Sequence, residues 1–162
     1  MSRVVVNEIE AKVGNDITFN DTVKISTAQI DTVRGKTTAG SISVTGEGNS
    51  TTTNLQQGLA KSWISYRGTS TVEIRDSLNV GSLTDNGTGD YKITFTNNMG
   101  NNLYPVTMAS DHDSGSHFST ACIDHDDPLP VATSQYVTNY LDQTNNMRDA
   151  VYCHEAVHGD LA

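Results

Sequence analysis

Five residues near the end of the sequence, His154-Glu-Ala-Val-His158, match the His-Glu-x-x-His pattern of zinc metallopeptidases. That chemistry needs the motif on a helix, where imidazoles four residues apart share one face and bind zinc. The glutamate then acts as general base, and a third protein ligand completes the zinc site. In this sequence only Gly159-Asp-Leu-Ala follows, so the usual downstream third ligand is missing. A zinc metallopeptidase is therefore a distant alternative.

The residues around this motif fit a helix or a strand. Residues 146–151 have the composition of a helix start, but apolar and polar residues alternate from Val151 to His158, which is the period of a strand. On a strand the two imidazoles would lie about 13 Å apart at roughly 3.3 Å per residue. That separation is too large for both imidazoles to bind one zinc ion.

Two short runs between Asp111 and Asp127 hold the other potential metal ligands. Carboxylates suit Ca²⁺, and imidazoles combined with carboxylates suit Zn²⁺ or Fe²⁺. Neither run has the spacing of an EF-hand loop, and Asp-rich segments commonly form solvated turns. We therefore predict no metal and no cofactor. The residues that would bind a metal, if one were held here, are His112, His117, Asp124, His125 and Asp126.

Other catalytic patterns are missing from the sequence. It has no phosphate-binding loop, no Gly-x-Ser-x-Gly nucleophile elbow and no Cys-x-x-Cys pair. Paired carboxylates for glycoside cleavage stay open, because nineteen acidic residues allow many pairs. Cys122 and Cys153 are predicted to be reduced thiols, since two cysteines make no disulfide framework. The sequence predicts a protein that is not an enzyme.

Composition limits the partners of the chain. Its 162 residues suffice for one ordinary domain, or for a small domain with an elongated appendage. Only 35% are apolar, so a single copy would bury little apolar surface, which favours self-association. The formal charge of -9 argues against nucleic acid as a partner. No run approaches the roughly 18 apolar residues of a membrane span, so we predict no membrane insertion.

The clearest structural signal lies between Gly58 and Phe95, where alternating segments are separated by Gly, Asn and Asp. This pattern predicts consecutive antiparallel strands, with a hairpin turn at Asn86-Gly87. The lone tryptophan, Trp63, is interpreted as an anchor of the core or of a subunit interface, in preference to a sugar-stacking platform. The predicted core or trimer anchors are Trp63, Ile64, Tyr66, Val72, Ile74, Tyr91, Ile93 and Phe95.

Residues 1–47 contain short segments rich in β-branched residues, such as Ile30–Arg34, and we predict that these segments form strands. A weak repeat of about 24 to 25 residues aligns Ile9 with Val33 and Ile17 with Ile42. Two copies cannot bury a core alone, so we predict a shaft or docking segment at 1–47 that intertwines with other chains. The alternative is two hairpins that are similar by chance.

A Gly-, Ser- and Thr-rich break follows the shaft segment, and we predict a linker at 48–57 and a head domain at 58–162. Asn54 is placed to cap a short helical turn that starts at Leu55. The head is predicted to begin directly after this turn.

Residues 58–69, 72–80 and 83–91 resemble a module found in structural proteins of tailed bacteriophages, especially marine and cyanobacterial phages. The resemblance covers about 51–110 well and the C-terminal strand weakly, and it leaves 111–148 unmatched. It implies a non-enzymatic virion protein, usually trimeric, with an N-terminal attachment segment and a β-sandwich head that contacts a host surface.

The sequence and the resemblance together predict an all-β intertwined homotrimer, with a short strand-rich N-terminal shaft followed by an antiparallel β-sandwich head. The expected function is a tail-fibre-type virion protein, assembled in the host cytoplasm, that projects from the particle. Its expected partners are itself, other virion proteins through the N-terminal segment, and a glycan or protein of the host surface. The alternative of another kind is a capsid decoration or head-fibre protein that binds the major capsid protein.

Overall fold

The computed structural model describes residues 26–34, 42–45, 51–111, 120–124 and 126–162. The chain divides into two compact units, Met1–Arg34 and Gly35–Ala162. The described residues form mostly antiparallel β-sheet with a single helical turn, which confirms the predicted β class. The elements are β1 (Ser43–Thr45), β2 (Thr52–Asn54), α1 (Leu55–Gly58), β3 (Ala60–Arg67), β4 (Glu73–Leu78), β5 (Val80–Gly87), β6 (Asp90–Phe95), β7 (Val106–Ser110), β8 (Thr120–Ile123), β9 (Val131–Ala132), β10 (Gln135–Leu141) and β11 (Cys153–His158).

In the first unit, the described residues 26–34 contain no strand. The strand predicted at 30–34 is therefore wrong, and its apolar side chains Ile30 and Val33 are 63% and 59% exposed. A strand needs a neighbour for its backbone hydrogen bonds, and none pairs with this segment among the described residues. The strands predicted before residue 26, and the first copy of the repeat, lie outside the described residues.

The described residues of the second unit form three antiparallel sheets. Strands β1 and β2 form a two-stranded sheet, and the four-stranded sheet has the order β4-β3-β11-β7. The third sheet has the order β5-β6-β10-β8, with β9 added to β10. Strand β2 and the first three residues of α1 fall within the predicted linker 48–57. The predicted cap is confirmed, because the Asn54 side chain accepts a hydrogen bond from Gln57 N at 3.1 Å.

The four- and five-stranded sheets share one core. Along β3, buried residues alternate with half-buried ones, and the buried residues are Ser62 and the predicted anchors Ile64 and Tyr66. Edge-to-face contacts join the rings of Tyr66, Tyr91 and Tyr140, with ring centroids 5.2 to 6.3 Å apart. The core is thus rich in tyrosine, and its hydroxyl groups need partners within it.

Asn79 makes the corner between these two sheets. The alternation of the sequence continues through this residue, but the chain turns at Asn79, whose φ is 56°, so that β4 and β5 belong to different sheets. The Asn79 side chain accepts a hydrogen bond from Asn97 N at 2.7 Å and donates one to Asn97 O at 3.0 Å. Asparagine tolerates the left-handed conformation better than most residues, and these bonds hold it there.

The hairpin between β5 and β6 forms as predicted, but its turn is shifted. Asn86 and Gly87 lie at the end of β5, and the turn residues are Thr88 and Gly89. A bulge between Asp85 and Gly87 accounts for the shift, because it adds a residue to β5 and moves the reversal toward β6.

Candidate functional site

The His-Glu-x-x-His residues lie on β11, a strand hydrogen-bonded to β3 on one side and to β7 on the other. His154 is exposed on the outer face of the four-stranded sheet, whereas Glu155 points into the core and is 3% exposed. Alternation along a strand therefore sends the glutamate to the opposite face from His154. A zinc site with Glu155 as general base beside its histidines does not form.

Glu155 instead joins the two sheets. Its Oε1 accepts hydrogen bonds from Tyr66 Oη at 2.9 Å, Thr138 Oγ1 at 3.1 Å and Tyr140 Oη at 2.8 Å. Tyr66 lies on β3 of the same sheet, while Thr138 and Tyr140 lie on β10 of the other sheet. One carboxyl oxygen thus receives hydroxyl groups from both sides of the core.

The second oxygen, Glu155 Oε2, is buried without a hydrogen-bond partner among the described residues, and so is Tyr136 Oη. Burial raises the pKa of Glu155 above its usual range, and the hydrogen bonds from Tyr140, Tyr66 and Thr138 oppose this increase. Burial and the nearby Glu155 also raise the pKa values of Tyr66, Tyr136 and Tyr140 above the ordinary tyrosine range. The surroundings of this cluster therefore favour the uncharged forms of the Glu155 carboxyl and the tyrosine hydroxyls.

A second feature is the outer face of the four-stranded sheet around Trp63. The indole is half-buried, and its partners in register are Leu78 on β4 and Ala156 on β11. A hollow of about 350 Å³ lies beside it, lined largely by apolar atoms of small residues such as Ala109 and Ala156, with His154 at its edge. Leu78 is 47% exposed. This face, which we call the Trp63 face, combines a large aromatic ring with an open hollow.

Two further side chains extend this face toward its other end. Tyr152 is 52% exposed and stacks on the His154 ring, with centroids 6.4 Å apart. The Arg75 guanidinium lies 4.3 Å from the centre of the Tyr152 ring, within the range of a cation–π contact. Exposed aromatic and arginine side chains of this kind are enriched at protein interfaces.

A polar groove lies where the chain leaves β11. Its larger part, about 510 Å³, is lined by Asn54, Lys61 and Asp160, and a smaller part of about 330 Å³ lies beside Tyr104. Gln57 and Asp160 line both parts, and Gln57 Nε2 donates to Asp160 Oδ2 at 3.4 Å. Amide and carboxylate groups provide hydrogen-bond donors and acceptors for a hydroxyl-rich ligand.

Most of the predicted anchors lie in the shared core, whereas Trp63 lies on the Trp63 face. The buried members of the set lie in the shared core, and they are Ile64, Tyr66, Tyr91, Ile93 and Phe95. Val72 is partly buried and packs against that core, while Trp63 is half-buried on the opposite face of its sheet. Ile74 is 38% exposed and lies outside the core, because β4 is an edge strand of the sheet that the described residues form.

The metal-ligand candidates are only partly described. His112, His117 and His125 lie outside the described residues. Asp124 is buried and accepts a hydrogen bond from Asp126 N at 2.9 Å, an arrangement typical of an Asp-initiated turn. Within the described ranges, no three His, Cys, Asp or Glu side chains are grouped to bind a metal ion. Cys122 and Cys153 are free thiols.

The sequence reasoning missed the buried Glu155 cluster. A signal was present, because Cys153, Glu155 and Val157 share one parity along the strand and two of them are apolar. A glutamate between two inward apolar residues is expected to point inward as well. Its tyrosine partners come from β3 and β10, however, and their approach depends on the assembled sheets.

Comparison with protein-family models, curated proteins and solved structures found no match for this chain. Among the residues that the structure describes, no helix has the length and apolar character needed to cross a bilayer.

Proposed function

We propose that this chain is a non-enzymatic structural protein of a tailed-bacteriophage virion, of the tail-fibre type, assembled as a homotrimer with a β-sandwich head. The resemblance to phage structural proteins supports this proposal, because residues 58–91 contain β3, β4 and β5 and reach the start of β6. These strands contribute to both sheets of the shared core. The stretch that resembles the phage module therefore supplies a large part of the proposed head, as expected for a module that recurs in different proteins.

The Trp63 face is the observation that supports self-association most directly. Trp63 is half-buried beside a hollow, and exposed Leu78 lies next to it. Contact of this apolar surface with water is unfavourable. A tryptophan in such a place is also typical of the residues that anchor the centre of an interface. In the proposed trimer, this face packs against a second copy of the chain. Residues 1–47 are proposed to supply the shaft and to attach it to other virion proteins.

Substituting Trp63 with arginine is expected to weaken this association, because it removes the anchor and places a charge at the centre of the contact. The expected loss is at least about 2 kcal/mol, or roughly 30-fold in affinity. Sedimentation equilibrium at a series of concentrations would show the variant dissociating into folded monomers. Thr88→Arg, which places the same side chain on an exposed turn, serves as the matched control. If both variants stay trimeric, Trp63 is not the anchor.

Contact with a host surface is part of the same proposal. The polar groove beside Gln57 and Asp160 supports it, since its amide and carboxylate groups suit the hydroxyl groups of a glycan. The groove lies where the predicted linker meets the proposed head, because Gln57 belongs to the linker and Lys61 and Asp160 belong to the head. A protein partner is the other ligand class that we retain.

The second candidate is a capsid decoration or head-fibre protein, which would also be a β-rich, non-enzymatic component of the virion. The two proposals differ in their docking partner, which is tail or baseplate protein in the first and major capsid protein in the second. Immunogold labelling of intact particles separates them. Label at the tail supports the first proposal, and label confined to the capsid overturns it in favour of the second.

The zinc metallopeptidase is not proposed, because the strand geometry removes the motif that suggested it. His154 and Glu155 point to opposite faces of the sheet. The motif therefore lacks the arrangement in which a zinc-bound water meets the glutamate.

A further inference from the structure

The carboxyl group of Glu155 is held between the two sheets by neutral side chains. We propose that this group is an uncharged carboxylic acid in the folded protein at neutral pH, and that it forms a pH-sensitive latch between the sheets. The latch consists of Glu155 on β11, Tyr66 on β3, and Tyr136, Thr138 and Tyr140 on β10.

No charge partner stabilises an ionised Glu155, since no ion pair to it forms among the described residues. His154, its neighbour along β11, points to the outer face. Arg67 on β3 is paired with Glu73 at 2.8 Å. The titratable groups that face Glu155 are the hydroxyls of Tyr66, Tyr136 and Tyr140 and the thiol of Cys153, and all are neutral at ordinary pH. A buried carboxylate without a cation is strongly disfavoured.

The hydrogen bonds assign the proton to one oxygen. Oε1 already accepts hydrogen bonds from three hydroxyl groups. A proton on Oε1 would therefore compete with these donors for the lone pairs of the oxygen. Oε2 is buried and has no hydrogen-bond partner within the described part of the chain. An ionised oxygen that is buried without a donor is strongly disfavoured, so we assign the proton to Oε2.

The pH dependence follows from this arrangement. The unfolded chain loses the Glu155 proton near the ordinary glutamate pKa of about 4.3, whereas the raised pKa in the folded protein keeps the proton to higher pH. The contribution of Glu155 to stability is therefore complete below the unfolded pKa and is lost as pH rises toward the folded pKa. Above the folded pKa, a negative charge lies inside the tyrosine cluster that joins the sheets.

Asp142 acts in the opposite direction and must be separated from this effect. Hydrogen bonds from Thr144 and Asn146 hold its pKa well below the usual aspartate range, so its contribution is lost as pH falls below that range. A variant that changes Glu155 alone leaves the Asp142 contribution in place. The difference between the two proteins then reports Glu155.

Glu155→Gln provides the test, because glutamine keeps the Oε1 acceptor and cannot ionise. Urea unfolding of the full chain at pH values from about 4 to 9 is expected to show wild type losing stability relative to the variant as pH rises. The largest expected slope is about tenfold in the folding equilibrium constant per pH unit, the value for one proton. A difference that stays constant across this range would overturn the proposal.

Infrared spectroscopy gives an independent readout of the proton. Wild type at neutral pH is expected to show the carbonyl stretch of a protonated carboxylic acid, and Glu155→Gln is expected to lack it. If the variant does not fold, ¹³C-labelled glutamate in wild type assigns the same band by its isotope shift. Wild-type spectra that contain only ionised glutamate at neutral pH would overturn the proposal.

Discussion

Substituting Gly89 with alanine is expected to destabilise the protein by about 3 to 5 kcal/mol, among the larger effects of a single substitution. Gly89 has a φ of 68°, and a Cβ atom there would lie 2.6 Å from both Arg148 N and Tyr140 O. These are backbone atoms held by the bonds from Tyr140 N to Gly89 O at 2.8 Å and from Arg148 N to Tyr140 O at 2.9 Å. Relieving the clash therefore requires breaking hydrogen bonds at the end of β10.

Gly87→Ala is the matched control for this prediction. Gly87 also has a positive φ, 150°, but a Cβ atom there meets nothing within 4 Å. Gly87→Ala therefore has the cost of an unfavourable backbone conformation but no steric clash. The difference between the two variants in the free energy of unfolding, measured with urea, gives the cost of the clash at Gly89. Equal losses in the two variants would show that close approach at Gly89 is not what requires glycine.

Substituting Glu155 with alanine is expected to cost about 3 to 5 kcal/mol, in the range seen when a buried polar network loses its central member. The hydroxyl groups of Tyr66, Thr138 and Tyr140 would lose their common acceptor while staying buried. The substitution also leaves a cavity between the two sheets, which adds to the loss. The free energy of unfolding, measured by urea at fixed pH, gives the effect.

Glu73→Ala is the control, because it removes a carboxylate of the same type from an exposed pair. Glu73 bonds Arg67 at 2.8 Å on the surface, and such pairs contribute at most about 1 kcal/mol. A loss for Glu155→Ala no larger than that for Glu73→Ala would contradict a central structural role for the buried carboxyl.

Local pattern predicted the elements whose side chains alternate between a buried and an exposed face. The predicted anchors Ile64 and Tyr66 of β3 and the Tyr91, Ile93 and Phe95 face of β6 are found in the core, because burial of one face fixes the register of a strand. The helical turn after Asn54 was also predictable, since its capping bond is made within the segment. Short-range rules sufficed in these places.

Longer-range features were not predictable in the same way. The break at Asn79 depends on hydrogen bonds to Asn97, eighteen residues later, and the alternation of the sequence continues through it. The role of Glu155 depends on hydroxyl groups from β3 and β10, which only the assembled sheets bring together. Sequence spacing suggested a zinc-peptidase glutamate at the same position, because that motif has its meaning only on a helix.

In the homotrimeric virion protein that we propose, the Trp63 face of each chain is covered by another copy. Sedimentation equilibrium of the purified chain measures the mass of this assembly. We expect the mass of three chains of 17.4 kDa, with dissociation on Trp63→Arg. A folded wild-type protein that sediments as a monomer at every concentration would overturn the proposed trimer.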